Sequence, residues 1–464
     1  MIEFATWPWQ HWAKQRAGHR ALIIDKRELT WAEVITEVNQ RATNLVAAGV
    51  NEGDGVALQG KNSAQLLLNY LAVLQVGGRV LPLNPQLPAA QLNQLLPQLD
   101  ILYFWNNTDS DCPKLATLTQ LTEAALSSAP LVNCQPHWAS WEPLRAATLT
   151  LTSGSTGLPK GVVHSIDAHL ANAAGLLECM DFTASDSWLL SLPLFHVSGQ
   201  GILWRWLVKG ATLVVRSSHS LSESLVGCTH ASLVPTQLWR LLSQSASTVH
   251  LKQVLLGGAM IPSELVLEAK ARGICCWCGY GMTEMASTAA AKEADGLSGV
   301  GQILPGRELK IDGEEICLRG AGLSQGYWRE GRIEPITDSE GWFRTRDRGA
   351  FIDGELVIQG RLDNQFFSGG EGIQPEDIER LLVAHPDIEQ AFVVPVADSE
   401  FGHRPVVILQ ATKPLSLGDI HRFLTGKLPK FQFPDAVYCL PEVLAQGGIK
   451  ISRRVLIDWV EKQK

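Results

Sequence analysis

The feature that most constrains the fold is an alternation of short, apolar, strand-like runs with helical stretches up to about residue 299. Strand-like runs at Arg79–Leu83, 211–216 and Gln253–Leu256 alternate with segments of helical periodicity such as 263–272. Strands and helices that alternate along a chain bury their apolar faces by packing as layers of sheet and helix. The sequence therefore predicts an α/β fold built on layered sheets.

The pattern changes beyond residue 299, where short strands are separated by frequent glycine. A second boundary near 360–364 precedes a glycine-dense turn, a helix with Pro375 near its first turn, two strands and a further helix. We therefore predict a large N-terminal α/β domain with a small β-rich subdomain at 1–362. A small α+β domain, of about 100 residues and thus of ordinary domain size, follows at 363–464. The short strands expected in the subdomain are 308–311, 315–319, 349–352 and 355–359.

The composition of this 464-residue chain limits its functional class. Its net charge of −8 argues against general nucleic-acid binding, which requires a basic face. The N-terminal residues lack the regions of a signal peptide, and no apolar run approaches the ~18 residues of a membrane span. The nine scattered cysteines favour reduced thiols in a cytoplasm over a disulfide framework. We expect a cytoplasmic protein without a membrane span, and a homo-oligomer is compatible with the sequence.

Two local patterns predict individual elements. Thr30 and Glu33 form a capping box, apolar residues follow at helical spacing, and Gly49 stands where that helix should end. The run CCWC at 275–278 lacks a second ligand pair at metal-binding spacing, so it favours a buried strand over a zinc site.

A candidate phosphate-binding loop lies in the stretch TLTLTSGSTGLPKGVVHS at 148–165. The alternating Thr and Leu residues predict a half-buried strand, and the hydroxyl- and glycine-rich loop after it offers many hydrogen-bond donors to a polyanion. Lys160 adds a point charge. The spacing excludes a Walker-type loop, because Pro159 stands where that motif needs glycine and Gly161 where it needs Ser or Thr. A flexible linker is disfavoured, because it has no reason to join a patterned strand to an apolar run.

Seven motifs in one order resemble the adenylate-forming superfamily, which includes acyl-CoA ligases, peptide-synthetase adenylation domains and luciferases. The resemblance covers nearly the whole chain and implies the two-domain fold of that superfamily. The motifs are TSGSTGLPKG (152–161), LPLFHVSGQG (192–201), LLGGAMIP (255–262), GYGMTE (279–284), RTRDRG (344–349), GRLDNQFFSGGEGI (360–373) and GGIKISRRVL (447–456).

The resemblance implies a reaction in two steps. A carboxylate attacks the α-phosphate of ATP and pyrophosphate leaves; a thiol such as that of CoA then attacks the acyl-adenylate. ATP, Mg²⁺ and CoA are therefore expected as co-substrates and ion, without a tightly bound prosthetic group. Phosphoryl-type transfer depends mainly on positioning and charge stabilisation, which a loop of donors provides. The loop residues implied to hold the phosphates are Thr152, Ser153, Gly154, Ser155, Thr156, Gly157 and Lys160.

The resemblance also implies roles for the nucleotide-binding residues. Tyr280 would stack on adenine, the alternative being a core tyrosine. Thr283 would bind the α-phosphate and Glu284 would bind Mg²⁺, which prefers a carboxylate together with phosphate oxygens. Asp347 would accept hydrogen bonds from both ribose hydroxyls, and Arg361 would lie near the same ribose. The glycines implied beside the adenine and ribose are Gly258, Gly279 and Gly281.

Lys450 matches the lysine that bridges the carboxylate and the α-phosphate in the adenylation step. The superfamily usually has glycine immediately before this lysine, whereas this chain has Ile449. The residues that follow Lys450 still fit the motif, so the implied catalytic role is retained. Lys427 and Lys430 are the competing lysines, and the first is also explained as a solvated helix residue.

The resemblance further implies that the two domains rotate about Asp363 between the two half-reactions. In the second orientation, the turn that contains Gly369 and Gly370 would shape a tunnel for the thiol. Glycine suits the close passage of a pantetheine arm, because it has no side chain.

Arg205 is the candidate residue for acid recognition, because it is the only charge in the segment 197–208 and lies between two tryptophans. A cation in such surroundings requires an anion, and a guanidinium suits a carboxylate. An amphipathic helix whose arginine reaches solvent or an internal acid is the alternative. His196 would lie near the reacting carboxyl or gate the pocket.

Several stretches, among them WPWQHWAK at 7–14 and THASLVPTQLWRLL at 229–242, resemble the branch of the superfamily that serves menaquinone biosynthesis. This implies that the acid is 2-succinylbenzoate, an aromatic keto-diacid with one carboxyl to activate and one to hold. Thr152 and Ser232 would then lie beside the distal carboxylate. Another aryl- or acyl-CoA ligase, or a stand-alone adenylation enzyme that loads a carrier protein, remains an alternative.

Overall fold

The computed structural model describes residues 3–107, 116–129, 138–152, 159–216, 220–243, 250–257, 261–297, 299–441, 444 and 451–463. In these residues, no helix is long and apolar enough to cross a membrane. The helices are α1 (Pro8–Gln15), α2 (Trp31–Ala47), α3 (Ala64–Gln75), α4 (Ala89–Gln98), α5 (Glu123–Ser127), α6 (Ile166–Leu177), α7 (Val197–Lys209), α8 (Leu221–Ser224), α9 (Pro235–Ser243), α10 (Ser263–Ala271), α11 (Pro375–Val383), α12 (Leu417–Leu424) and α13 (Arg453–Glu461).

The strands before residue 300 are β1 (Arg20–Ile24), β2 (Arg27–Thr30), β3 (Gly55–Gln59), β4 (Arg79–Leu83), β5 (Ile101–Asn106), β6 (Thr119–Leu121), β7 (Ala146–Thr152), β8 (Lys160–Ser165), β9 (Ser187–Leu189), β10 (Thr212–Val215), β11 (His230–Leu233), β12 (Gln253–Leu256), β13 (Cys275–Met282) and β14 (Ser287–Glu293). The later strands are β15 (Gln302–Ile303), β16 (Arg307–Asp312), β17 (Glu315–Gly320), β18 (Gly326–Arg329), β19 (Arg332–Glu334), β20 (Phe343–Ile352), β21 (Glu355–Arg361), β22 (Phe366–Ser368), β23 (Glu371–Ile373), β24 (Ile388–Asp398), β25 (Gly402–Ala411) and β26 (Ala436–Cys439).

Two large mixed sheets form the body of the N-terminal part. One has the order β19-β18-β8-β7-β4-β3-β5-β6, and the other has the order β15-β14-β13-β12-β11-β9-β10-β1-β2. Helices α3, α6 and α7 contribute largely buried faces to the core, as do tryptophans from α1 and α2. The predicted layering of sheets and helices is confirmed.

The smaller sheets lie where the sequence pattern changes. Strands β16-β17-β20-β21 form an antiparallel sheet, which is the predicted β-rich subdomain. After residue 365, the described strands pair only with one another, as the hairpin β22-β23 and the sheet β24-β25-β26. These sheets and helices α11, α12 and α13 form the α+β unit expected at the C-terminal end. The division at 362/363 between two mobile domains stays a prediction.

The predicted local elements are present. Thr30 and Glu33 form a reciprocal capping box at the start of α2, and Gly49 has the left-handed φ of +94° just past its end. The CCWC run begins β13, in which the Cys276 and Cys278 side chains are buried. The buried-strand interpretation is therefore confirmed.

One strand differs from its prediction. The alternating Thr and Leu residues of β7 predict a half-buried strand, yet both of its faces are buried, because β7 lies between β4 and β8 inside a sheet. Its buried threonine hydroxyls are satisfied within the core. Thr148 Oγ1 lies 2.8 Å from His169 Nε2, and Thr150 Oγ1 accepts a hydrogen bond of 3.0 Å from Gln200. The alternation of Thr and Leu therefore reflects buried threonines that form hydrogen bonds inside the core, rather than a face exposed to solvent.

Candidate active site

The candidate phosphate end of the site lies at the loop end of the β7–β8 hairpin. Thr152 ends β7 and is paired with Lys160, which begins β8. The predicted loop residues Ser153, Gly154, Ser155, Thr156 and Gly157 lie outside the described residues. The antiparallel hairpin agrees with the exclusion of a Walker-type loop, which connects a strand to a helix.

Glu284 lies in a 3₁₀ turn, Thr283–Met285, that directly follows β13. Its Oε1 atom accepts a hydrogen bond of 2.9 Å from the hydroxyl of Tyr327, on β18. The Nζ atom of Lys160 lies 5.0 Å from the centre of the Tyr327 ring. Tyr327 thus connects the lysine of the hairpin to the carboxylate of the turn. One carboxylate beside phosphate oxygens is a suitable donor set for Mg²⁺, so Glu284 fits its implied role.

Buried histidines lie behind this turn. The His164 side chain is fully buried, close enough to the backbone of Thr283 and Glu284 for that backbone to affect its pKa. Burial lowers the pKa of His164 to about 4, although the polar backbone of Thr283 and Glu284 opposes the shift. The His169 ring lies 5.0 Å from that of His164, and it stacks on Trp204 at the same centroid distance. Neutral aromatic side chains therefore support the turn from inside the core.

The candidate ribose end is a chain of polar contacts centred on Asp347. Its Oδ2 accepts a hydrogen bond of 2.6 Å from the Tyr280 hydroxyl, and its Oδ1 accepts one of 3.0 Å from Arg361 Nη1. The other edge of the Arg361 guanidinium, Nε and Nη2, donates to both oxygens of Asp363, at 2.8 and 2.9 Å. Burial would raise the pKa of Asp363, but the hydrogen bonds and charge of Arg361 outweigh it and lower that pKa. Arg361 thus connects the predicted ribose acceptor to the predicted hinge residue.

Tyr280 is part of the core. Its side chain is 8% exposed and packs in a cluster with Met285, Ile316 and Leu318. The adenine-stacking role stays a prediction. Gly281 allows the neighbouring strands to approach closely, because a Cβ there would lie 1.8 Å from the carbonyl oxygen of Ser287. A Cβ at Gly279 would lie 3.2 Å from Thr288 Cγ2, and Gly258 lies outside the described residues.

The candidate acid end is formed by Arg205 on α7. Arg205 is 1% exposed, so the alternative in which this arginine reaches solvent is wrong. Nη1 lies 3.5 Å from Ser232 Oγ, and Nη2 lies 3.4 Å from Thr288 Oγ1. The guanidinium carbon lies 5.3 Å from the centre of the Trp188 ring. Among the described ion pairs, none includes Arg205, so its charge is held by hydroxyls and an aromatic ring.

The electrostatics of Arg205 favour an external anion. Burial lowers the pKa of Arg205 to about 9, and the positive charge of Arg307 adds to the effect. A buried cation without a carboxylate is costly for the folded protein, and a bound anion would remove that cost. The binding of a substrate carboxylate by Arg205 stays a prediction that this geometry suits.

The remaining predicted acid-site residues surround Arg205 at different distances. Ser232 contacts it directly. His196 is the N-cap residue of α7, nine positions before Arg205, which corresponds to ~13 Å along the helix axis. Burial lowers the pKa of His196. Thr152 is the last residue of β7, beside the loop of the hairpin. The structure thus brings Ser232 to Arg205, and the places of His196 and Thr152 in the acid site stay predictions.

The glycines of the predicted thiol tunnel lie in the turn between β22 and β23. Gly369 and Gly370 have φ values of +58° and +87°, and a Cβ at Gly369 would lie 3.0 Å from the Phe401 ring. Lys450 lies outside the described residues. Nearby Arg453, at the start of α13, forms ion pairs with Glu376 and Glu379 at 3.1 and 2.6 Å.

The sequence analysis did not identify four side chains at the site: His164, Asn172, Thr288 and Tyr327. None of them lies on an element that the sequence analysis predicted, and each reaches the site only through the packing or pairing of distant segments. Tyr327, for example, lies opposite Val162 in the β18–β8 ladder. A buried polar residue on an apolar helix, such as Asn172 on α6, is the signal that could have indicated one of them.

Two family models match the chain. The model for AMP-binding enzymes matches residues 9–328, and the model for the C-terminal domain of AMP-binding enzymes matches residues 377–447. The first match includes the predicted phosphate, metal and acid residues. The second lies within the α+β unit.

Similar proteins are found over the full length. The 2-succinylbenzoate–CoA ligase of Escherichia coli is 51% identical over 463 residues, which cover 99% of this chain and 100% of that protein. The enzyme of the same name from Haemophilus influenzae is 45% identical over 472 residues, covering 98% and 99% of the two chains.

Solved structures give the same result. An Arg-to-Lys variant of Escherichia coli MenE with bound OSB-AMS has a TM-score of 0.93 and 50% identity, with both chains fully covered. The Bacillus subtilis o-succinylbenzoate CoA synthetase has a TM-score of 0.84 with its acyl-adenylate intermediate OSB-AMP, at 27% identity and 95% coverage of each chain. Its complex with ATP and a magnesium ion has a TM-score of 0.83, at 26% identity, covering 94% and 96% of the two chains. The chain therefore belongs to the AMP-binding, adenylate-forming enzymes and, within them, to the 2-succinylbenzoate–CoA ligase family.

Proposed function

We propose that this enzyme ligates 2-succinylbenzoate to CoA at the expense of ATP, through an acyl-adenylate, in menaquinone biosynthesis. The products are 2-succinylbenzoyl-CoA, AMP and pyrophosphate. The observation that carries the substrate assignment is Arg205, a buried cation that contacts hydroxyls and an aromatic ring. The 51% identity to a ligase of this name over the whole chain supports the same assignment.

In this proposal, the two carboxylates of the acid are bound at different ends of its pocket. The benzoate carboxylate accepts hydrogen bonds from Arg205 and is flanked by the hydroxyl of Ser232, with Thr152 as a further polar neighbour. The succinyl carboxylate lies toward the phosphate end, where His196 borders or gates the pocket. A guanidinium binds a carboxylate through two parallel hydrogen bonds, which fixes the orientation of the acid as well as its charge.

The nucleotide lies at the other end. Asp347 and Arg361 hold the ribose, Tyr280 stacks on the adenine, and Gly258, Gly279 and Gly281 leave room for the base. Thr283 donates to the α-phosphate, and Glu284 holds Mg²⁺, which neutralises phosphate charge. The residues Thr152–Lys160 hold the β- and γ-phosphates until pyrophosphate leaves. Donors fixed in place before the reaction stabilise the developing charge without reorganisation.

The two half-reactions use two orientations of the C-terminal domain, residues 363–464. In the first, Lys450 bridges the attacking carboxylate and the α-phosphate. In the second, the domain has turned about Asp363, and the turn at Gly369 and Gly370 borders the path of the CoA thiol. The contact of Arg361 with both Asp347 and Asp363 supports a hinge directly adjacent to the nucleotide site.

Two further parts of the proposal concern the setting of the enzyme. We place it in the cytoplasm, which the seven free thiols among the described cysteines support. Its partners are small molecules rather than nucleic acid, and self-association into a homo-oligomer is compatible with the sequence. The two alternatives are another aryl- or acyl-CoA ligase and an adenylation enzyme for a carrier protein. Acid selectivity separates the first, and CoA dependence of product formation separates the second.

The test is AMP formation that depends on ATP and CoA, measured with 2-succinylbenzoate beside benzoate and 4-phenylbutyrate. Arg205→Ala should lose ~1.5–3 kcal/mol of transition-state stabilisation with the diacid, as for a hydrogen bond to a charged group. Arg41→Ala is the matched control, because Arg41 is also buried but is paired with Glu123 at 2.8 Å. Equal turnover of benzoate, together with an indifferent Arg205→Ala, would leave a CoA ligase with another acid substrate.

A further inference from the structure

The turn from Thr283 to Thr288 joins the two ends of the candidate site. Within it, Ala286 and Ser287 have φ values of +54° and +134°. L-residues with side chains rarely adopt these values, and such conformations persist where the surrounding structure holds them. The turn therefore needs an external restraint.

Asn172, on α6, supplies that restraint. Its side chain is 1% exposed, and its Nδ2 atom donates two hydrogen bonds. One reaches the carbonyl oxygen of Met285 at 2.6 Å, and the other reaches that of Thr288 at 2.9 Å. These two carbonyls bracket the pair of left-handed residues. One amide group thus holds the strained turn from both sides.

Asn172 is itself held in place. The buried Arg307 donates a hydrogen bond of 3.1 Å from Nη2 to the backbone oxygen of Asn172. Both hydrogens of the Asn172 amide are used on the turn, so a side chain without two donors on one atom cannot replace it. The chemistry of the contact therefore requires an amide.

The two flanks of the turn serve different ends of the site. Thr283 and Glu284 precede the bracketed residues and lie at the phosphate end. Thr288 follows them, and its hydroxyl lies 3.4 Å from Arg205 Nη2 at the acid end. A change in the shape of this turn would therefore alter the separation of the two ends.

We propose that Asn172 is a positioning residue that sets the distance between the carboxylate-holding end of the acid site and the end where the other carboxyl is activated. The inference rests on the proposed function, because it concerns how a diacid spans this site. It predicts that Asn172 controls selectivity for a diacid over an acid that lacks the distal carboxylate. A purely structural asparagine would affect stability and leave that selectivity unchanged.

The kinetic test compares kcat/KM for adenylation of 2-succinylbenzoate and of 3-benzoylpropionate, which lacks the ring carboxylate. Asn172→Asp keeps the shape but replaces the donor with an oxygen, and Asn172→Ala removes the group. Each should reduce the diacid preference by about tenfold, because a small displacement of a reacting group is costly. Asn69→Ala is the matched control, because Asn69 is equally buried and bonds to Arg41 and Glu123. It should leave the preference unchanged.

Hydrogen–deuterium exchange without ligands tests the restraint independently of any substrate. Exchange in a peptide covering 280–290 should be faster in both Asn172 variants than in the wild type and in Asn69→Ala. Unchanged exchange there overturns the inference, and so does an unchanged diacid preference in variants that are only less stable. Failure of the wild type to adenylate 2-succinylbenzoate would instead reject the proposed function, while the exchange measurement still decides the role of Asn172.

Discussion

The hydroxyl of Tyr327 donates a hydrogen bond of 2.9 Å to Glu284, and the same ring lies 5.0 Å from the ammonium group of Lys160. Burial raises the pKa of Tyr327, and the charge of Glu284 raises it further, so the hydroxyl remains a donor at neutral pH. One side chain thus orients both the carboxylate proposed to hold Mg²⁺ and the lysine proposed to hold phosphate.

Tyr327→Phe should therefore weaken adenylation while leaving the aromatic contact with Lys160 in place. The loss of a hydrogen bond to a carboxylate corresponds to about a tenfold lower rate of ATP–pyrophosphate exchange. The Mg²⁺ concentration for half-maximal exchange should also rise, because Glu284 loses its orienting donor. Tyr103→Phe is the control, since that hydroxyl donates to the carbonyl of Gly49. An unaltered Mg²⁺ requirement in Tyr327→Phe would contradict this role.

Arg361→Lys should raise KM for ATP by about tenfold, because an ammonium group cannot replace a guanidinium that binds two carboxylates at once. In the wild type, one edge of Arg361 contacts Asp347 and the other contacts Asp363. Steady-state kinetics with varied ATP measure the effect. Arg348→Lys provides the comparison, because Arg348 pairs with Glu314 through two nitrogens in the same sheet. If both variants keep the wild-type KM, the Asp347–Arg361 pair does not hold the nucleotide.

Local patterns predicted much of this fold because their causes are local. The α2 capping box and the limits of β4 and β12 depend on neighbouring residues, and all three are confirmed. The half-buried interpretation of β7 was wrong, because a threonine that faces solvent and one that faces a buried amide have the same pattern.

The residues of the candidate site were likewise predictable only where the signal is local in sequence. Arg205 was predicted from its neighbours in sequence, as the only charge in 197–208 and between two tryptophans, but only its burial excludes the solvated alternative. The contacts of Tyr327 and Asn172 could not be predicted, since their partners are 43 and 113 or more positions away in sequence. Such contacts arise from strand pairing and helix packing, which periodicity does not determine.

The buried His164 should make the protein less stable in mild acid. Its folded-state pKa of about 4 lies below the unfolded value near 6.5, so the unfolded chain binds a proton that the folded chain does not. The stability that neutral His164 contributes is lost as pH falls from about 6.5 towards 4. At pH 5 the loss in the free energy of unfolding amounts to ~2 kcal/mol. His164→Asn should therefore show a smaller decrease in the free energy of unfolding between pH 7 and pH 5.

Urea unfolding at the two pH values measures that decrease. His19→Gln, at an exposed position, should retain the decrease seen in the wild type. The buried His169 lies beside His164, and its pKa is also well below the ordinary value because of burial and the charge of its neighbour. Some acid sensitivity should therefore remain in His164→Asn. An identical pH dependence in His164→Asn and the wild type would show that His164 does not carry the effect.

Lys450→Ala should separate the two half-reactions. Loss of a cation that bridges the carboxylate and the α-phosphate should reduce adenylation by at least ~10². Conversion of a supplied 2-succinylbenzoyl-adenylate to the thioester should continue, because in the proposed mechanism that step uses the other domain orientation. Lys427→Ala is the matched control within the same domain, since the Lys427 ammonium lies 3.3 Å above the Phe423 ring and the residue is exposed. Rapid-quench assays of each step give the two rates, and an equal loss in both would reject domain alternation about Asp363.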